Sequence, residues 1–140
     1  MNGCIFCEIL AGRAEASLVY QDELCAAFLD IQPVTPGHLL VIPRRHAVSL
    51  AELPEGEGGR LFEAGQRLAA ALRGSGLRCE GVNFFLADGE AAGQEVFHVH
   101  LHVFPRFAGD GFGLKVGPHY PSQPPRAELD ETASRIREAL

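Results

Sequence analysis

Residues 98–102 read His-Val-His-Leu-His, inside the run Val96–Phe104, VFHVHLHVF. No other stretch restricts the folding of this chain so tightly. Side chains alternate between the two faces of a strand. His98, His100 and His102 therefore share one face, while Val99, Leu101 and Val103 share the other. The apolar face requires a packed partner. The segment Glu55–Leu72 supplies one, because Leu61, Phe62, Leu68, Ala69 and Leu72 recur at helical spacing. Gly65 is the weak point of that helix. A buried face would prefer Val or Ile, and an ordinary solvent face would mix charges. Three imidazoles in a row suit a metal, a nucleophile flanked by proton donors, or an anion. The residues alone leave these three uses open. His38 and His119 stand singly and read as turn or surface residues.

The remaining elements follow from pattern and punctuation. Residues 3–11 form a short apolar segment of one or two helical turns. Leu18–Gln21 and Leu24–Ile31 read as strands of a hairpin around Asp22 and Glu23. His38–Ile42 is a third strand, stopped by Pro43, and Val82–Ala87 is a fourth. Val96–Phe104 is the fifth, stopped by Pro105. Residues 108–126 carry four Gly and four Pro and read as an ordered tail without regular structure. Ala127–Leu140 reads as a short terminal helix. The expected fold is α+β: an antiparallel sheet of about five strands, one long helix packed on it, and a short C-terminal helix. No repeat or domain boundary interrupts residues 1–140, which read as a single domain.

Composition narrows the function classes. Twelve basic against eighteen acidic residues give a formal charge of −6, which disfavours a duplex nucleic-acid binder. With 46% apolar and 21% charged residues the chain has the make-up of a folded protein. No stretch is apolar for long enough to span a membrane, and MNGCIFCEIL lacks the basic start and apolar core of a secretion signal. The expected location is the cytoplasm. There, four cysteines do not imply disulfides. Cys25 and Cys79 read as small buried side chains. Cys4 and Cys7 form a CxxC pair that is redox-active, half of a zinc site, or two buried thiols.

VFHVHLHVFPR resembles the alternating His-φ-His-φ-His-φ-φ signature of the histidine triad family. IFCEILAG, AAFLDIQPVTPGHLLVIPRRH and AAGQEVFHVHLHVFPR are similar, in order and spacing, to the Hint branch of its nucleotide hydrolases and transferases. The resemblance covers residues 3–107, leaving 108–140 as tail and helix. It implies that the middle histidine, His100, is a nucleophile that forms a nucleotidyl-histidine intermediate. It also implies that His98 and His102 position phosphate oxygens and manage protons. Asp30 matches the residue that binds the ribose hydroxyls. Ile5, Phe6, Ile9, Phe28 and Ile31 match the apolar walls of a purine pocket, although their pattern alone is that of core. Gly93 and Gln94 match the loop that approaches the phosphate.

The resemblance further implies a structural zinc held by Cys4, Cys7, His46 and His98, with no catalytic cofactor. With zinc bound, only His100 and His102 would face the substrate. A homodimer and a purine nucleotide ligand are implied too, with neither nucleic acid nor membrane as partner. The implied reaction is hydrolysis of a purine nucleoside 5′-phosphoramidate or a related derivative. Its alternatives are a dinucleoside polyphosphate hydrolase of the Fhit type and a nucleotide-binding adaptor with residual activity.

Two positions depart from the Hint pattern. Glu95 stands where a Ser is common, and Ala87-Asp88 where Asn-rich sequence is common. Period two would put Glu95 on the packed face, so a break in the strand is expected near Gln94–Glu95. The Glu95 side chain should then lie in solvent or pair with a base such as Arg106.

Overall fold

Asp22 turns the first hairpin. Its Oδ1 accepts the backbone N–H groups of Leu24 and Cys25, at 2.8 and 2.9 Å. Its Oδ2 accepts the Tyr20 hydroxyl at 2.6 Å and the Arg60 guanidinium at 3.0 Å. The Tyr20 hydroxyl, followed by the backbone donors, holds the carboxyl well below the usual carboxylate range. Leu18–Gln21 (β1) and Cys25–Leu29 (β2) accordingly pair antiparallel. The structure, a computed structural model, describes residues 3–140. It continues with Leu39–Pro43 (β3), Gly81–Phe85 (β4) and Leu101–Arg106 (β5). Ile5–Leu10 (α1) precedes the hairpin, Glu57–Gly74 (α2) joins β3 to β4, and Arg126–Ala139 (α3) follows the sheet.

The strands lie in the order β1-β2-β3-β5-β4, and every neighbouring pair is antiparallel. The chain reaches β4 before β5. After α2 crosses over, β4 is laid down one place away from β3, and β5 fills the gap between them. That order decides which side chains meet, because β5 enters the middle of the sheet with core on both faces.

Alternation splits the core in two. Leu39 and Val41 of β3, with Val99, Leu101 and Val103, pack against Leu61, Ala64, Leu68 and Leu72 of α2. Leu40 and Ile42 point the other way, to Phe6, Ile9, Ala26 and Phe28. The short helix α1 covers that second face. The expected apolar row therefore lies against the expected helix.

The strand expected at Val96–Phe104 needs correction. Pairing begins only at Leu101 and continues through Pro105 to Arg106. Two features end the ladder. Pro43 of the facing strand brings no N–H, and its carbonyl is taken by the His98 ring at 2.8 Å. Val99 N–H turns instead to the Ala47 carbonyl at 2.8 Å. The alternation of faces survives, since Val99 still joins the α2 core. The tail after Phe107 has no regular structure before α3, as expected, and α3 buries no residue. No described helix is long and apolar enough to cross a membrane.

Gly65 has a packing reason for its place in α2. A Cβ there would lie 2.8 Å from Phe84 Cε2 and 3.3 Å from Leu101 Cδ2, and Phe84 is itself backed by Phe62. The helix thus approaches the sheet closely at this point. Gly65→Ala should gain ~1 kcal/mol of helix propensity but lose ~1–3 kcal/mol to overpacking. The expected net loss is about 1 kcal/mol in chemical denaturation, and Gly65→Leu should lose more. A stabilised Gly65→Ala protein would show that the contact is slack.

Candidate functional site

Cys4 caps α1, with its Sγ 3.5 Å from the Cys7 backbone N–H. Both sulfurs then face one imidazole. His98 Nδ1 lies 3.5 Å from Cys4 Sγ and 3.7 Å from Cys7 Sγ, and His46 Nδ1 lies 3.3 Å from Cys7 Sγ. All four donor atoms lie within 4.8 Å of one another. Zinc–sulfur and zinc–nitrogen bonds at tetrahedral angles would set sulfur–nitrogen separations of about 3.6 Å. The His98 tautomer also fits. A carbonyl only accepts, so Nε2 carries the proton given to Pro43, and the Nδ1 lone pair faces the sulfurs. Burial lowers the pKa of His98, which favours the neutral ring that ligation needs. These four residues can hold a tetrahedral metal ion.

On the far side of Phe6 opens a cavity of about 670 Å³, within the range of ordinary small-molecule sites. Phe6 sits edge-on to both His98 and His100, at 5.8 and 5.2 Å between centroids. Ile5, Phe6 and Ile9 from α1, and Phe28, Asp30 and Ile31 from the end of β2, line the cavity with Gly93, His100 and His102. Phe6 and Phe28 are also core, only 5% and 3% exposed, whereas Ile31 stands 94% exposed at the rim. Asp30 is oriented by the Gln32 backbone N–H, 2.9 Å from its Oδ1.

The cavity imidazoles have defined tautomers. His100 Nδ1 lies 2.8 Å from the His98 carbonyl and must donate to it. The Nε2 of the neutral ring then carries the free lone pair. His38 Nδ1 accepts the Val34 backbone N–H at 3.0 Å, which places the His38 proton on Nε2. That proton is given to His102 Nδ1 at 2.9 Å, and His102 in turn carries its own proton on Nε2. Asp30 Oδ2 stands 3.7 Å from the same His38 nitrogen. Asp30, His38 and His102 lie close enough to hold a metal; in the structure described, His38 and His102 are joined by a hydrogen bond and Asp30 stands beside them without one to either ring. Burial, reinforced by the neighbouring His100 and His38 rings, pushes the His102 pKa down to about 4. Burial lowers that of His38 as well, opposed by Asp30.

Some residues stand elsewhere than the sequence suggested. His98 had two expected roles: it is fully buried in the cysteine cluster, where the metal expectation put it, and it does not line the cavity, so it has no free nitrogen for the phosphate role. The Gln94 side chain is also turned inward. It accepts from Gly89 N–H at 2.8 Å and donates to the Val48 and Val96 carbonyls at 2.8 and 3.1 Å. It braces the loop. No strand break occurs at Gln94–Glu95, because residues 94–100 all lie outside any strand and β5 begins only at Leu101; Glu95 is exposed, as expected. Arg106 is not its partner, being engaged by Asp110 and Asn83 at 2.6 Å each. Sequence reasoning missed His38, together with Phe85, Phe104 and Phe112 in the cavity wall. The only sequence signal for His38 was its place ahead of β3, beside a Gly that a turn requires.

The HIT domain profile matches residues 11–109. The chain is 41% identical over 140 residues to the Protein hit of Bacillus subtilis, covering 99% of this chain and 95% of that one. A zinc-bound histidine triad family protein from Mycobacterium smegmatis is 40% identical, with a TM-score of 0.77 over 99% of this chain and 98% of that chain. A histidine triad nucleotide-binding protein from Candida albicans is 28% identical, with a TM-score of 0.83 over 98% and 96%.

The His38–His102 bond makes a pH prediction. With a folded pKa near 4 against an ordinary value of about 6.5, His102 stays neutral in the fold while the unfolded chain takes up a proton. Stability should fall as the pH drops from about 6.5 towards 4, and His38 contributes in the same direction. Thermal melts of His102→Gln should show a shallower pH slope than wild type across that window. Equal slopes would mean that the folded protein also protonates His102.

Proposed function

The chain belongs to the HIT domain family, and on that premise we propose that it hydrolyses a purine nucleoside 5′-phosphoramidate or a related nucleoside phosphate derivative. One observation carries the reading. His100 gives its Nδ1 proton to the His98 carbonyl, leaving a nucleophilic Nε2 in a cavity of nucleotide size. Attack by Nε2 forms a nitrogen–phosphorus bond and breaks the bond to the leaving amine, which departs with a proton drawn from solvent. Water then attacks phosphorus, the His100–phosphorus bond breaks, and the proton is returned. The products are the nucleoside monophosphate and the amine. The Nε2–H of His102, fixed by His38, is assigned to a phosphoryl oxygen, where negative charge grows in the transition state. Asp30 is assigned to the ribose hydroxyls, and Ile5, Phe6, Ile9, Phe28 and Ile31 to the base. Gly93 is assigned to the loop beside the phosphate. The same reading carries a homodimer and a cytoplasmic location.

Zinc belongs to the proposal as a structural ion on Cys4, Cys7, His46 and His98. The spacing and tautomers of these donors support it, and the zinc-bound relative does so by likeness. When bound, the ion would tie α1 to the segment that carries the histidines, and its closed ligand set would leave no place for substrate.

His100→Ala should abolish turnover of an adenosine phosphoramidate while AMP binding stays within about tenfold, since the residue acts mainly in the chemical step. Acid quench of the wild type should trap nucleotide on His100. Near-full kcat in the variant would sink the mechanism.

Protein purified without chelator should carry about one zinc per chain. Cys4→Ser and Cys7→Ser should lose metal and thermal stability, with a smaller effect on kcat. Elemental analysis finding no metal, after growth with zinc, would favour two free thiols.

A further inference from the structure

The cavity walls are unbalanced in charge. Among the described residues that line it there is no Lys or Arg, while Glu15, Asp30 and Glu95 all contribute carboxyl groups. Asp30 is already engaged by the Gln32 N–H and stands beside His38. Glu15 and Glu95 differ: both are exposed, and among the described residues neither side chain has a hydrogen-bond or ion-pair partner, but Glu15 follows α1, on the side assigned to the nucleoside, and Glu95 stands on the loop that leads to the histidines. The place of Glu95 is nevertheless fixed. Gln94, the residue before it, is pinned by three hydrogen bonds, and Val96, the residue after it, packs against the Phe6–Phe28 core. Glu95 therefore stands on a braced loop at the wall of the cavity that holds His100.

We propose that Glu95 selects the leaving group, and that the group expelled from phosphorus is an amine bearing a second, positively charged ammonium or guanidinium. This rests on the hydrolase reading above. The residues assigned to the nucleoside come from α1 and the end of β2, whereas Glu95 enters from the loop that leads to His98–His100. It is thus placed for the part of the substrate beyond phosphorus. A polyphosphate leaving group would bring further negative charge into a wall that offers no Lys or Arg. An ammonium several bonds from the scissile nitrogen meets an unpaired carboxylate instead. The bonds made and broken are those already given; Glu95 takes no proton and forms no bond. It is a specificity residue acting by charge.

The test uses two adenosine 5′-phosphoramidates of equal length, one made from 1,3-diaminopropane and the other from n-butylamine. Their kcat/KM ratio is measured for wild type, Glu95→Gln and Glu95→Lys. Comparing ratios between proteins cancels the intrinsic difference between the two amines. The wild-type preference for the charged amide should exceed that of Glu95→Gln by about two- to fivefold, the range for an exposed charge pair. It should shrink as salt is added. Glu95→Lys should invert the preference and raise turnover of diadenosine tetraphosphate. If wild type and Glu95→Gln give the same ratio while both amides turn over, the leaving-group assignment falls and the hydrolase reading stands. If neither amide turns over and no nucleotide is trapped on His100, both fall.

Discussion

One short extended stretch, His98 to Val103, gives apolar side chains to the core beneath α2 and turns histidines to the opposite face, where His98 and His100 meet Phe6. Val99, Leu101 and Val103 anchor it in the apolar layer beneath α2. The backbone is held at one end by the Val99 N–H on Ala47 and at the other by the ladder to β3 and β4. With every second residue committed to the core, the three histidines have no freedom to choose their side. They are driven towards α1, and the order in which they emerge is fixed by the order of the chain. His98 meets the cysteines, His100 meets Phe6, and His102 meets His38.

Proton placement follows from that backbone. Each imidazole is read by a partner whose own hydrogen-bonding role is unambiguous. A carbonyl fixes His98, another fixes His100, and a backbone N–H fixes His38 and through it His102. The carbonyls and the backbone N–H do not titrate, whereas His38, the direct partner of His102, does. While His38 and His102 are neutral, the directions in which the rings donate and accept are a property of the fold, and preorganised donors need no rearrangement when charge develops.

Periodicity made most of the fold legible. The spacing of Leu61, Leu68 and Leu72 marked α2, and the alternation of 98–103 marked both the packed face and the functional one. The limits of β5 were not legible, because pairing depends on the facing strand, and Pro43 ends what the pattern at Val99 would have continued. The division of labour among the histidines was hidden from periodicity for a related reason. Equal spacing makes His98 and His100 look alike; the resemblance separated them, and in the structure the position of α1 does so. His38 carried little signal beyond its place beside Gly37, because its importance lies in contact with His102, sixty-four residues away. Gln94 ran in the opposite sense: the resemblance put it in the loop that approaches a phosphate, but the loop uses its amide for itself.

Position 98 performs two tasks with different atoms. Its ring belongs to the cysteine cluster, and its carbonyl holds His100. Only the first task depends on which amino acid stands there, because every residue has a main-chain carbonyl. A lineage could therefore exchange His98, Cys4 and Cys7 for apolar side chains of similar bulk and keep the His100 ring oriented. The cysteine cluster and the orientation of His100 are separable by substitution in this architecture, even though they meet in a single residue.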